Sequence, residues 1–176
     1  MDLAARAWPA SLPSTMGSDQ MPDSEASFDD AFHKSIVDNI ADGVYYVDLE
    51  RRITYWNHGA ERLTGYAAKD MIGEHCFANR LSHIDAAGTA LCFEGCPLQA
   101  TIGDGEVREA EVWMRHESGH RSPVRVRTAP VRDAAGEIIG AVEVFDDATR
   151  LIEAREHLAT ARHDAMTDTL TLLPNR

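Results

Sequence analysis

The chain has 176 residues, 44% of them hydrophobic, and a formal net charge of −12. That is enough for one domain with a real core plus appendages, and the acidic balance argues against a nucleic-acid-binding surface. No run of 18 apolar residues occurs, so no segment is suited to cross a membrane as a helix, and three cysteines, an odd count, argue against a disulfide framework.

Residues 1–27 carry Pro9, Pro13 and Pro22, scattered serines and no periodic apolar pattern, which reads as a disordered leader. The stretch from Leu3 to Leu12 is broken by Arg6 and Pro9, so it is no signal peptide, and a cytoplasmic, reducing setting is expected. Residues 28–41 read as a flanking helix, with Phe28, Phe32, Ile36 and Ile40 recurring every four residues. Residues 43–49 are rich in aromatic and β-branched side chains and predict a strand, and after the polar Glu50-Arg51-Arg52 turn, residues 53–56 predict a second. Asn57 is placed to cap a short helix that Gly65 ends. A second short helix follows over residues 67–72, and residues 73–105 are expected to be mostly helix and loop.

Three more strands close the domain. In residues 107–116, Ala110, Val112 and Met114 share one face, with Glu109, Glu111 and Trp113 on the other. A Ser118-Gly119 turn leads to residues 122–131, where Val124, Val126 and Thr128 alternate with Arg125 and Arg127. Residues 137–145 are apolar on both faces except at Glu143, as befits a central strand. Cross-strand charge pairing would set Arg125 and Arg127 opposite Glu109, Glu111 and Glu143 on a wet face. From Leu151 on, Ala154, Leu158, Ala161 and Ala165 fall at alternating steps of three and four, a short coiled-coil seam. The seam implies a homodimer stalk, unless the helix lies back on its own sheet.

The segments D-G-V-Y-Y-V-D (42–48), I-T-Y-W-N (53–57), A-E-R-L-T-G-Y (60–66) and M-I-G (71–73), in that order, resemble the PAS sensor domain. The resemblance implies an α+β PAS fold: a five-stranded antiparallel sheet with short helices on one face, flanked by N-terminal and C-terminal helices. On this reading residues 42–147 are the PAS domain, and Asp147-Ala148-Thr149 resembles the Asp-x-Thr motif that starts an output helix. Residues 148–166 are then a signalling helix. Residues 167–176 match the opening of a GGDEF diguanylate cyclase module at Asp168, Leu170, Thr171, Leu173, Pro174, Asn175 and Arg176, with Leu172 where that family has glycine. None of the residues that carry cyclase chemistry follows, so this chain is expected to be no enzyme but a sensor, acting on a C-terminal cyclase and hence on cyclic di-GMP.

Cys76, His83, Cys92 and Cys96 lie in a stretch that resembles a PAS subtype found upstream of GGDEF modules, with Cys, His-x-Asp, Leu-Cys and Cys-Pro-Leu. Three readings stand side by side. Three thiols and an imidazole are the donor set of structural zinc, or of an iron centre, although Cys-x15-Cys-x3-Cys is a loose spacing. Cys96, at the start of a helix with Pro97 in its first position, could pair reversibly with Cys92. Or the cysteines are plain buried residues. A small organic ligand in a PAS cavity would be lined by Tyr46, Trp56, Leu81, Leu98, Ile102, Val126 and Val142, which also serves as a core list. Flavin and covalent haem are not expected as cofactors, because residues 75–80 lack the Asn-Cys-Arg-Phe-Leu-Gln run of photoactive flavin PAS domains and no Cys-x-x-Cys-His occurs.

Overall fold

The computed structural model describes residues 24–78 and 80–166. In chain order these form α1 (Ser24–Asn39), β1 (Gly43–Asp48), β2 (Ile53–Trp56), α2 (His58–Thr64), α3 (Ala68–Met71), α4 (Pro97–Asp104), β3 (Arg108–Arg115), β4 (Arg121–Arg132), β5 (Ile138–Asp147) and α5 (Thr149–Met166). All five strands join one sheet in the order β2-β1-β5-β4-β3, antiparallel at every junction. The apolar strand β5 is therefore central, as its two-faced hydrophobicity requires.

One face of the sheet carries the core. Tyr45, Trp56, Val112, Val126 and Phe145 point inward to meet Ala60 of α2, Met71 of α3 and Leu98 of α4, together with Leu81 from the connection before α4. Phe145 lies over Gly43, where a Cβ would stand within 2.6 Å of three of its ring atoms. Burial of side chains of this size stabilises by about 1.5–3 kcal/mol each.

Asn57 organises the first half. Its Oδ1 accepts from Val44 N and Ala60 N, both at 2.8 Å, and its Nδ2 donates to Val37 O at 2.9 Å and Asp42 O at 3.0 Å. One fully buried amide thus caps α2 and ties α1 to the sheet. Gly65 ends α2 with φ +80°, a left-handed position that favours glycine.

α1 begins at Ser24, inside the stretch read from sequence as leader. It rests on the chain through Val37 and Asp38, with the Tyr55 hydroxyl donating to Asp38 at 2.5 Å. The stripe of Ile36 and Ile40 stays exposed instead of packing on the sheet. α5 is capped by Asp147, whose Oδ1 accepts from Thr149 N at 2.8 Å. Ile152 is half-buried and Arg155 pairs with Glu111 of β3, while the seam residues Leu151, Ala154, Leu158 and Ala161 are exposed. The cyclase-like residues 167–176 and most of the leader lie outside the described residues.

Candidate functional site

Among its described residues, the connection between α3 and α4 has no helix of its own. It is held by backbone hydrogen bonds to its neighbours. Cys76 N donates to Arg51 O at 3.0 Å, and Ile84 and Trp113 exchange bonds of 3.1 and 2.8 Å, so residues 81–84 run along the free edge of β3. Leu91 N bonds His83 O at 2.9 Å, and the backbone N–H of His83 faces the Cys92 sulfur, which sets Cys92 beside His83. Cys96 precedes α4, with Pro97 opening that helix.

All four residues expected at the site are buried. Cys76 and Cys96 join the hydrophobic core, the three thiols lie within electrostatic reach of one another, and Glu143 bears on Cys76 and Cys92. Burial pushes the Cys76 thiol well up and raises Cys92 as well, so both are neutral thiols at physiological pH. Among the described residues no three His, Cys, Asp or Glu side chains are grouped so as to hold a metal ion. The tetrahedral set of Cys76, His83, Cys92 and Cys96 is thus not preassembled.

What these residues surround is a group the sequence reading placed elsewhere. Glu143 of β5 does not face Arg125 and Arg127 on the wet side. It is 2% exposed, points into the core and lies opposite Thr128 in the β4 register. Its Oε1 stands 3.8 Å from His83 Nε2, and neither atom has a hydrogen-bond partner. Burial raises the Glu143 carboxyl to about 7, partly offset by a hydrogen bond from the Tyr45 hydroxyl. Burial, with the nearby Arg121 charge, depresses His83 to about 4. Each shift favours the neutral form, the ordinary response of ionisable side chains removed from water: His83 is neutral at physiological pH, and Glu143 exchanges its proton close to it. A charge in an otherwise apolar central strand was the available signal for Glu143; sequence spacing to the Arg residues masked it.

The proposed ligand-lining residues divide between the two faces of the sheet. Trp56, Leu81, Leu98 and Val126 lie in the core, with Ile102 packed against it. Tyr46 and Val142, paired across β1 and β5, face the other way. Tyr46 lines a groove of about 310 Å³ with His33, Lys34, Val37 and Tyr55. Period-two alternation decides this: Tyr45 and Glu143 point inward, so their neighbours Tyr46 and Val142 cannot.

A five-stranded antiparallel sheet with helices and a long connection over a polar-studded core is the architecture of a PAS sensor module. A family model for the PAS fold matches residues 31–148, and the chain belongs to that family. Among curated proteins it is 27% identical over 144 residues to the probable diguanylate cyclase DgcE of Escherichia coli, covering 80% of this chain and 12% of that protein. It is 25% identical over 130 residues to the histidine kinase AtoS of the same organism, covering 72% and 19%. The chain therefore spans less than a fifth of the length of either relative. Of solved structures, an RNA-binding light-oxygen-voltage receptor superposes with a TM-score of 0.64 at 22% identity, covering 88% of this chain and 41% of that one. A PAS domain from Colwellia psychrerythraea gives 0.57 at 22% identity, covering 68% and 97%. The relatives are signal-transduction proteins, and the chain is a PAS sensory domain.

Proposed function

We propose that this chain senses a ligand, metal or redox cue at the buried cluster around Glu143, in the cytoplasm, and passes it through α5 to a C-terminal diguanylate cyclase. The observation that carries this reading is that β5 serves both ends. Its residue Glu143 faces the cluster, and its last residue, Asp147, caps the output helix. A change in what Glu143 contacts has only the strand from Glu143 to Asp147 to cross before it reaches the root of α5. The cyclase-like tail and the similarity to DgcE support the choice of output. The exposed seam on α5 and the exposed Ile36 and Ile40 on α1 support a homodimer, in which two cyclase modules would be held face to face. A cue acts by favouring one of two arrangements of that helix pair.

The test uses the chain extended through a complete cyclase module, with cyclic di-GMP formation as readout. Inserting five residues in α5 rotates the seam by about 140° and is expected to abolish regulated output, whereas seven residues restore the phase and the regulation. Equal output from both insertions refutes the stalk. Leu158, 53% exposed on the seam, gives a second check: Leu158→Asp is expected to shift the sedimenting species from dimer toward monomer at tens of micromolar. A second reading, a PAS dimerisation module without a cue, is favoured by the raised, buried thiols and predicts output indifferent to substitution of Glu143 and His83.

A further inference from the structure

Two polar atoms deep in a protein, facing each other without partners, demand an occupant or a cost. His83 Nε2 and Glu143 Oε1 are such a pair, on residues 7% and 2% exposed. Their 3.8 Å separation is too long for a direct hydrogen bond. It is short enough for one ion to touch both, since nitrogen and oxygen ligands of a first-row divalent cation each sit at about 2.0–2.2 Å. The surroundings name the sign and softness of the occupant. Cys76 and Cys92 lie within electrostatic reach of the carboxyl, and Cys96 within reach of both thiols, while Arg51 contacts the cluster from its edge, through Cys92 O at 3.2 Å. Nitrogen, oxygen and sulfur donors together suit a borderline or soft divalent metal, and the neighbouring Arg121 is engaged with Ser82 O.

We propose that His83 and Glu143 seat a thiophilic divalent cation, of the zinc or ferrous-iron class, and that binding draws in thiols from Cys76, Cys92 or Cys96. This rests on the reading of the cluster as the cue site, and it names Glu143 as a ligand in place of a purely Cys and His set. The donors are not grouped beforehand. The ion therefore has to pull sulfur toward β5, and that movement couples occupancy to the strand that roots α5. The charge balance is explicit: each recruited thiol and the Glu143 carboxyl give up their protons to solvent as the metal arrives, while His83 binds as the neutral imidazole it already is.

The experiment titrates cobalt(II), as a spectroscopic substitute, into the full chain stripped with chelator and kept reduced. The expected result is one equivalent bound, with a sulfur-to-cobalt charge-transfer band, and zinc displacing it. Glu143→Gln and His83→Gln are each expected to weaken binding at least about tenfold, with thermal melts confirming that both variants fold. A control removes His116 and His120, a stacked pair 4.4 Å apart that offers imidazole without sulfur, and should leave the band unchanged. No stoichiometric binding, binding without the sulfur band, or equal affinity in the Glu143 and His83 variants overturns the proposal. None of these results touches the stalk, which the insertion experiment tests separately.

Discussion

The two faces of this sheet carry the same residue types to opposite effect. On the outer face, Arg125 pairs with Asp146 through contacts of 3.1 and 3.2 Å, and Arg127 reaches Glu109 at 3.7 Å. All four side chains stand in water, and each charge keeps its hydration. Three residues from Asp146 on the same strand, Glu143 faces inward, loses its water and finds His83 instead of arginine. The outer carboxylates are spectators of stability, because exposed ion pairs contribute about 0–1 kcal/mol. The inner one sits where a missing partner costs about 1–3 kcal/mol or more. The difference lies in one step of strand parity, not in the chemistry of the side chains.

The largest expected effect separates neighbours on β5. Phe145→Ala empties the centre of the inner aromatic cluster and should destabilise by about 3–5 kcal/mol. Val144→Ala, one residue away and half-buried on the outer face, should cost about 1 kcal/mol or less. Urea denaturation of both variants measures the contrast, and similar losses would show that the faces are not so unequal.

The next effect is one of pH, measured on metal-free protein. Glu143 is raised from 4.5 to about 7, so its contribution to stability is full below 4.5 and is lost as pH rises through 7. His83 is lowered from 6.5 to about 4, so its contribution is full above 6.5 and is lost as pH falls through 4. Between about 4.5 and 6.5 the folded chain holds one proton, on Glu143, and the unfolded chain also holds one, on His83. The two slopes cancel there, and the wild type should show a plateau. Glu143→Gln leaves only the histidine, and stability should climb with pH across that window by roughly 2–3 kcal/mol. His83→Gln leaves only the carboxyl, and stability should fall instead by a similar amount. Unfolding free energies at half-unit pH steps would reveal the opposite slopes, and parallel curves would break the argument.

The smallest effect belongs to the outer face. Arg125→Ala should cost less than about 1 kcal/mol, and most of that should vanish at 1 M salt, where charges are screened within about 3 Å. A larger, salt-independent loss would mean that the outer ion pairs are less exposed to solvent than their positions suggest.

Much of the architecture was legible in the residues themselves. Asn57 as cap, Gly65 as stop, Pro97 opening its helix, the alternation on β3 and β4 and the central place of β5 all follow from local stereochemistry and a period of two, which act within a few residues. The start of α1 at Ser24 was not, because a polar helix end carries no apolar signature. Neither were the inward turn of Glu143 nor the outward turn of Tyr46 and Val142. In a strand hydrophobic on both faces, the pattern no longer says which side is core, and only the helices and the connection laid across one face decide it. The same holds for the cluster. The sequence names Cys76, His83, Cys92 and Cys96 as a group because they are neighbours in the chain. That Tyr45 and Glu143 complete their surroundings is a matter of pairing β1 with β5 and folding residues 73–96 over them, and no spacing along the chain encodes it.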